Sequence, residues 1–294
     1  MDLSIILVNH NAKDLTLECI NSIIEKTTIS FEIILVDNAS TDNTVLSIRS
    51  RYPKVNVISN RQNLGFAHAN NQGIAIARGR YILLLNNDTI LKNNALDKMT
   101  DYLANNSDVG AVTCKLFEAD GKTLQRNCRT FPTPLGTMFG RASLLTKLFP
   151  NNRWSTGNLL SDWDYNSIRE IDWASGAALM VRRSVIDQVG VLDDKNFFIY
   201  WEDTDWCKRI HDAGWKINFI PDAEIIHLTG RGGGRRNRSL SNRLIYQMHR
   251  SAFNYFRKHY LKTIFNPLTA VTYLGFIVLT GLKISWNSIK ILVK

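Results

Sequence analysis

Three acidic residues, Glu202, Asp203 and Asp205, lie within four positions directly after the largely aromatic run 197–201. A helix macrodipole favours acids in the first turn of a helix by about 0.3–1 kcal/mol each, which accounts for one or two of them. Aromatic neighbours also withdraw water from a carboxylate, and a general base must lie close to the hydroxyl that it deprotonates. The segment therefore predicts a carboxylate that accepts a proton, with helix stabilisation as the alternative.

A second candidate lies where the apolar run 81–85 ends in two asparagines and Asp88. Such a run is too short for a lone helix and suits a strand that is buried on both faces. In an open α/β sheet, ligands bind beyond the carboxyl ends of the parallel strands. Asp88 is therefore expected at a ligand site. The alternative is a turn in which Asp88 or Asn93 caps the next helix.

Alternating strands and helices must position these acids. The pattern predicts strands at residues 3–8, 31–36, 55–59, 81–85 and 109–116, with helices at 14–25, from 43, from about 66 to 77, and at 93–103. This order predicts a mostly parallel α/β sheet with helices on both faces. Polar residues follow the strands, so Asp37, Asn38, Asn63 and Asp88 are expected at one edge of the sheet.

Two common phosphate-binding motifs are absent from the sequence. The turn after the first predicted strand reads Asn-His-Asn-Ala-Lys-Asp instead of G-x-G-x-x-G, and no Walker-type G-x-x-x-x-G-K-S/T occurs. A nucleotide would therefore be held by side chains. Asp37 can accept a hydrogen bond from a base N–H or a ribose hydroxyl, and capping of its own loop is the alternative.

The net charge of +10 is concentrated near the C-terminus. No Asp or Glu follows Glu224, whereas residues 225–294 contain twelve Lys and Arg. Such a region favours an anionic partner, either nucleic acid or an anionic membrane surface. Only one RGG-like copy occurs, so we expect the membrane surface and no nucleic acid. The four cysteines have no CxxC spacing, which predicts reduced thiols in a cytosolic compartment.

Two apolar-rich stretches follow the catalytic part of the chain. Residues 240–262 have an amphipathic helical pattern with interspersed basic residues, and residues 263–282 carry no charge. Thr, Gly, Asn and Pro dilute the second stretch, and 284–293 forms another short apolar piece, so a monotopic or interfacial anchor is favoured over a clean span. We expect attachment to the cytoplasmic face of the cell membrane. The alternative for 240–262 is a helix packed on the catalytic domain with a solvated basic face.

Three ordered motifs resemble those of family 2 glycosyltransferases with the GT-A fold. They are VDNASTD at 36–42, N-x-G-F-A-x-x-N-x-x-G at 63–73 and LLLNND at 83–88. The sequence is most similar to the rhamnosyltransferase-like branch that builds bacterial surface polysaccharides. The resemblance implies inverting transfer from a nucleotide-diphosphate sugar, with rhamnose as the first expectation. It also implies a saccharide or polyprenyl-linked acceptor and assistance by Mg²⁺ or Mn²⁺.

The resemblance also implies roles for single residues. Asp203 matches the general base, and Glu202 would orient Asp203 or the acceptor. Asp88 is the only carboxylate left in the D-x-D position, and His227 is expected as a further metal or phosphate contact. Donor binding is expected from Asn9, Asp37, Asn38, Asn63, Gly65, Asn86, Asn87, Asp88 and Gly176. Because substrate phosphates and water must complete the metal shell, metal affinity without the nucleotide should be weak.

The expected catalytic domain covers residues 1–230, and a basic tail covers 231–294. Within the domain, 1–116 would bind the nucleotide sugar and 117–230 would supply the acceptor site and the catalytic acids. Pro and Gly interrupt 117–170, which predicts a long excursion that forms a lid or acceptor surface. Two other functions stay open. One is a nucleotidyltransferase that makes nucleotide sugars, and the other is an inactive nucleotide-sugar-binding module.

Overall fold

The structure, a computed structural model, describes residues 1–134, 160, 163–228, 242–261 and 267–292. Within the last segment, side chains are described for residues 273–288. Residues 135–159 of the expected lid lie outside the described residues, as does the boundary between domain and tail at residue 230.

Twelve strands and eight helices are present in the described residues. The strands are β1 (Leu3–Asn9), β2 (Phe31–Asn38), β3 (Asn56–Asn60), β4 (Tyr81–Asn86), β5 (Thr89–Leu91), β6 (Val109–Phe117), β7 (Leu124–Gln125), β8 (Cys128–Arg129), β9 (Arg169–Glu170), β10 (Trp173–Ala174), β11 (Ala178–Arg182) and β12 (Lys216–His227). The helices are α1 (Lys13–Lys26), α2 (Thr44–Arg51), α3 (Phe66–Ile76), α4 (Ala95–Asn105), α5 (Arg183–Val189), α6 (Glu202–Asp212), α7 (Asn242–His259) and α8 (Pro267–Leu292).

The main sheet has the strand order β3-β2-β1-β4-β11-β6-β12-β5. Strands β1 to β4 pair in parallel, and so do β6 and β12. The register places Asn9 opposite Asp37, and Val8 opposite Asn86. The predicted mostly parallel α/β sheet is confirmed, and its register aligns the polar residues at the carboxyl edge.

Strand β11 runs antiparallel between β4 and β6, which the order of elements along the chain did not predict. Every residue of β11 is buried, so its sequence marks a strand but not its partners or its direction. The reversal brings the start of β11 to the carboxyl edge. There the Ala177 carbonyl accepts a hydrogen bond from the Asn86 amide at 2.9 Å.

Helices cover both faces of the sheet, as predicted. Helices α1, α2 and α4 contribute to one apolar core, and α3, α5 and α6 contribute to the other. Alternate residues of β1 divide between the two cores, with Ile5 and Leu7 in the first and Ile6 in the second. This alternation follows from the two-residue period of a strand. Because the helices cover the two faces, the edge formed by the carboxyl ends of the strands stays accessible.

The C-terminal region forms a pair of packed helices. Asn287 Nδ2 donates to Asn242 Oδ1 at 2.7 Å, and His249 Nδ1 lies 2.8 Å from Thr280 Oγ1. Helix α8 is continuous, whereas the sequence predicted two short apolar pieces, because the exposed Lys283 does not interrupt a helix. Helix α7 packs on the catalytic domain, which is the alternative left open by the sequence. No helix among the described residues combines the length and apolarity needed to cross a membrane.

Candidate active site

The ends of β1 and β2 form a hydrogen-bond network around Asp37. Asn9 Nδ2 and Ser40 Oγ donate to Asp37 Oδ1 at 2.8 and 2.6 Å, and the Ser40 amide donates to Oδ2 at 3.0 Å. Asn87 Nδ2 and Thr16 Oγ1 donate to Asn9 Oδ1. Asn9 is fully buried, so its amide orients Asp37 and Asn87. Loop capping by Asp37 is therefore present as well.

Asp37 also lines a cavity of about 250 Å³ between the loop after β2 and the end of β3. Its other walls include Ser40, Thr41, Asn43 and Asn60. This volume suits one part of a nucleotide, such as its base. A cavity of about 610 Å³ beside α4 is lined by none of the predicted site residues, so size alone does not locate the site.

Asn38, Asn63 and Gly65 form the entrance to α3. Asn38 Nδ2 donates to the Gly65 carbonyl at 3.1 Å, and the exposed Asn63 accepts from the Gly65 amide at 2.9 Å. Gly65 has a φ of +89°, and a Cβ at this position would lie 2.5 Å from the Phe198 carbonyl oxygen. Glycine therefore allows α3 to approach the segment that leads to Glu202.

Asp88 and His227 face each other across β5 and β12. His227 Nε2 lies 3.2 Å from Asp88 Oδ1 and 3.1 Å from Asn86 Nδ2. On the other side of the ring, His227 Nδ1 donates to Gln125 Oε1 at 2.7 Å. With Nδ1 as the donor to Gln125, Nε2 is an acceptor for the Asn86 side-chain amide and also lies beside the Asp88 carboxylate.

These two side chains fit a divalent metal ion. Carboxylate and imidazole are both ligands for first-row divalent metals, and the hydrogen bond to Gln125 orients the imidazole so that Nε2 faces Asp88. The part of the chain that the structure describes holds no cluster of three or more His, Cys, Asp or Glu that could bind a metal. A metal ion at this pair would therefore have to take its remaining ligands from phosphate or water.

Asp203 lies at the same edge, beside the backbone of the β10–β11 turn. The Gly176 amide donates to Asp203 Oδ2 at 3.0 Å, and the Thr204 amide donates to Oδ1 at 2.7 Å. Burial raises the pKa of Asp203 above its ordinary value, although these hydrogen bonds oppose the shift. A carboxylate with a raised pKa is a stronger base than an exposed one, which suits proton abstraction from a hydroxyl.

Glu202 is buried next to Asp203, and its Oε2 has no hydrogen-bond partner among the described residues. Burial raises the pKa of Glu202 well above its ordinary value, and the charge of Asp203 raises it further. Because the negative charges of two adjacent carboxylates repel each other, ionisation of one carboxyl group disfavours ionisation of the other. The Oε2 oxygen of Glu202 is thus a buried acceptor that no other described residue satisfies.

A strained turn presents the two acids. Tyr200 and Trp201 have φ values of 65° and 72°, in the left-handed region that bulky residues rarely adopt. Each such residue costs about 1–3 kcal/mol and persists only where its surroundings hold it. Asp205 points away from Asp203 and contacts α7 through Lys258 and His259.

The structure brings the predicted residues to one edge of the sheet. The Asn86 backbone amide donates to the Ala177 carbonyl, and the neighbouring Gly176 amide donates to Asp203, so the Asp88–His227 pair and the Glu202–Asp203 pair lie beside one stretch of backbone. Sequence reasoning missed Gln125, which lies in the irregular segment after β6. It also missed Ser40, although Ser40 lies inside the motif at 36–42.

Comparisons with known proteins identify the family of this chain. The model of the family "Glycosyl transferase family 2" matches residues 4–173. The N-acetylglucosaminyl-diphospho-decaprenol L-rhamnosyltransferase of Mycobacterium tuberculosis is 29% identical over 214 residues, which cover 69% of this chain and 68% of that protein. Rhamnosyltransferase WbbL of Escherichia coli is 27% identical over 263 residues, which cover 85% of this chain and 91% of WbbL.

The fold is also found among solved structures. The mannosyltransferase PcManGT of Pyrobaculum calidifontis, in complex with GDP-Man and Mn²⁺, superposes with a TM-score of 0.58 and 15% identity. The match covers 97% of this chain and 72% of the mannosyltransferase. The family match covers more than half of the chain and decides against the nucleotidyltransferase alternative. The chain therefore belongs to glycosyl transferase family 2 and is a glycosyltransferase of the GT-A fold.

Proposed function

We propose that this glycosyltransferase transfers a sugar, with rhamnose as the first candidate, from a nucleoside-diphosphate sugar to a saccharide or polyprenyl-linked acceptor, with inversion. The observation that carries the proposal is the placement of Asp203 beside Gly176, on the backbone that joins it to Asn86 and the Asp88–His227 pair. A general base and a phosphate-binding pair at the same edge of the sheet would hold the sugar between them, with the acceptor hydroxyl next to the base.

In the proposed reaction, Asp203 accepts the proton of the acceptor hydroxyl while that oxygen attacks the anomeric carbon. The bond from the anomeric carbon to the diphosphate oxygen breaks, and the nucleoside diphosphate leaves with the electron pair. A single displacement from the opposite face inverts the anomeric centre. Glu202 would orient Asp203 or the acceptor, and its position next to Asp203 in the first turn of α6 supports this role.

Asp88 and His227 would hold Mg²⁺ or Mn²⁺, and such an ion supplies charge neutralisation of the diphosphate. The imidazole favours Mn²⁺ over Mg²⁺, because Mg²⁺ prefers an all-oxygen shell. Asp37 would bind the nucleoside from the cavity beside Ser40 and Asn60.

We further propose that α8 attaches the enzyme to the cytoplasmic face of a membrane. Seven large apolar side chains of α8 are exposed: Tyr273, Leu274, Ile277, Val278, Leu279, Leu282 and Trp286. The excess of basic residues after Glu224 favours anionic lipids. A polyprenyl-linked acceptor would be reached at the same surface, and the relative from Mycobacterium tuberculosis is named for a decaprenol-linked substrate.

The experiment is a screen of nucleoside-diphosphate sugars, scored by nucleoside diphosphate released in the presence of acceptor and Mn²⁺ or Mg²⁺. Asp203→Asn should bind donor normally and lose at least the ~10²-fold typical of a missing general base. Asp88→Ala should lose metal-dependent donor binding. Asp212→Asn, at the exposed end of α6, is the matched control and should keep full turnover. Near-normal turnover by Asp203→Asn, or a product with retained anomeric configuration, would contradict the proposal.

A further inference from the structure

The segment 192–201, which ends in the strained turn, is fixed on one side by α3. Asn71 exchanges two hydrogen bonds with the backbone of Leu192, at 2.8 and 3.1 Å. His68 Nδ1 lies 2.6 Å from Asp194 Oδ2. The amide of Phe66, next to Gly65, donates to the Phe198 carbonyl at 2.8 Å. Helix α3 therefore holds one side of this segment in position.

Helix α7 fixes the other side of the same segment. Ser251 Oγ donates to the Ile199 carbonyl at 3.2 Å, and Asn254 Nδ2 donates to the Asn196 carbonyl at 2.8 Å. The ring of Trp201 lies 5.2 Å from that of Tyr255, within a small apolar core that is separate from the two cores of the sheet. The backbone of the turn therefore packs against a helix that comes from the basic C-terminal region.

Asp205 joins α7 to the catalytic helix. It is fully buried, and its Oδ1 accepts from Lys258 Nζ and from His259 Nε2, both at 2.8 Å. Arg209, on its own helix, donates to Oδ2 at 2.9 Å. Burial alone would raise the pKa of Asp205, but the hydrogen bond from His259 and the cations Arg209 and Lys258 lower it below its ordinary value. Asp205 is therefore a buried carboxylate whose charge depends on α7.

These contacts have a geometric consequence for the acids. Glu202, Asp203 and Asp205 share the first turn of α6, so the side that faces α7 and the side that faces Gly176 move as one rigid unit. The left-handed conformations of Tyr200 and Trp201 are not favoured by their own side chains. Contacts from α3 and α7 must therefore hold the turn in place.

We propose that α7 is a positioning element of the active site, and that Asp205, held by His259 and Lys258, fixes the orientation of Glu202 and Asp203. The proposal rests on the proposed function of Asp203 as the base. No residue of α7 needs to touch the substrate for this role. A region that looked like a separable basic tail is then part of the catalytic apparatus.

The test compares His259→Ala and His259→Gln in the full-length enzyme, with thymidine-diphosphate rhamnose as donor in the first instance. His259→Ala should lower kcat by about 10–100-fold with little change in donor KM, because a misplacement of about 1 Å can cost ~10²-fold. His259→Gln should recover most of kcat, since its amide N–H can donate to Asp205. Arg257→Ala, an exposed basic residue on the same helix, should leave kcat unchanged.

Hydrogen–deuterium exchange gives a readout that does not depend on turnover. In His259→Ala, amides of 192–206 should exchange faster, whereas those of β1 and β4 should match the wild type. Should His259→Ala unfold globally, Lys258→Ala keeps the His259 hydrogen bond and serves as the milder variant. Wild-type exchange and kcat in these variants, or a His259→Gln as impaired as His259→Ala, would overturn the proposal. A wild-type enzyme without transfer would refute the proposed function, while the exchange result still decides the positioning role.

Discussion

Glu202 is a buried carboxyl whose environment disfavours its ionised form. Its burial and the neighbouring charge of Asp203 raise the pKa of Glu202, and its Oε2 has no partner among the described residues. Such a group costs folding free energy whenever it must ionise inside the protein. A residue kept at this cost is expected to serve the substrate rather than the fold.

Replacement of this carboxyl should stabilise the protein in a pH-dependent way. Between the unfolded pKa, near 4.3, and the raised folded pKa, the unfolded chain has released the proton that the folded chain retains, so stability falls as pH rises. Gln cannot ionise, so Glu202→Gln should be more stable than wild type by about 1–2 kcal/mol at pH 8, with a smaller difference at pH 5. Chemical denaturation at both pH values measures this.

The same variant should have reduced transfer activity if Glu202 orients Asp203 or the acceptor. Asp212→Asn, which removes an exposed acid on the same helix, controls for the loss of one negative charge. Equal stability of Glu202→Gln and wild type at every pH would show that the buried carboxyl carries no ionisation penalty.

At the level of elements, the approach of α3 to the segment 192–201 depends on Gly65. An alanine there would meet the Phe198 carbonyl at 2.5 Å and would also hold a left-handed φ. The turn at Gly65 links the carboxyl ends of β1 and β2 to the segment that leads to Glu202 and Asp203, so its displacement should affect both proposed parts of the site.

Three alanine variants separate strain from collision. Gly65→Ala combines a φ of +89° with the contact to Phe198, whereas Gly214→Ala has a φ of +88° and open space around its Cβ. Gly176→Ala would make only ordinary contacts, the nearest at 3.5 Å. We expect Gly214→Ala to lose about 1–3 kcal/mol from strain alone. Gly65→Ala should lose more, and Gly176→Ala little. Thermal unfolding measures the stability of the three variants. Similar losses for Gly65→Ala and Gly214→Ala would exclude a destabilising clash with Phe198.

Much of the fold could be predicted from the sequence because its signals are local. Apolar runs mark β1, β2 and β4, and the residues that follow them belong to ordered motifs. The partners of β11 could not be predicted, since a fully buried strand pairs equally well in either direction. Gln125 was missed for a similar reason, because its contact with His227 joins positions 102 residues apart.

The C-terminal region also shows that a local sequence pattern does not identify the surface on which an element packs. The amphipathic pattern of α7 predicted one apolar face and one basic face, and both membrane contact and packing on the domain satisfy such a pattern. The packing of α7 depends on residues of the catalytic domain that its own sequence does not reveal. They are Asp193, Asn196, Ile199 and Asp205. The sequence marked Asp205 only as one of three acids that follow the aromatic run.

At the level of the whole molecule, charge and apolar surface are segregated. The first 224 residues hold all 26 acidic residues, whereas the C-terminal region is basic and carries the exposed apolar side chains of α8. This division predicts that one end of the molecule contacts anionic lipid while the carboxyl edge of the sheet faces its substrates.

Truncation after Lys262 should separate membrane contact from catalysis. The shortened chain keeps α7 and its contacts with Asp205 but loses α8, so it should stay folded and remain in the supernatant after centrifugation. The full-length protein should float with vesicles that contain phosphatidylglycerol more than with pure phosphatidylcholine, and added salt should weaken this binding. A truncated protein that still floats would place the lipid contact elsewhere.

The contact between α7 and the catalytic turn also bears on how the enzyme is made. The sheet, the cavity beside Asp37 and the Asp88–His227 pair are encoded before residue 228, and N-terminal domains fold first as a chain leaves the ribosome. Asp205 meets Lys258 and His259 only after residue 259 has been added. A nascent chain would thus acquire its nucleotide site first and its ordered acid pair last, so unfinished chains would bind donor without consuming it.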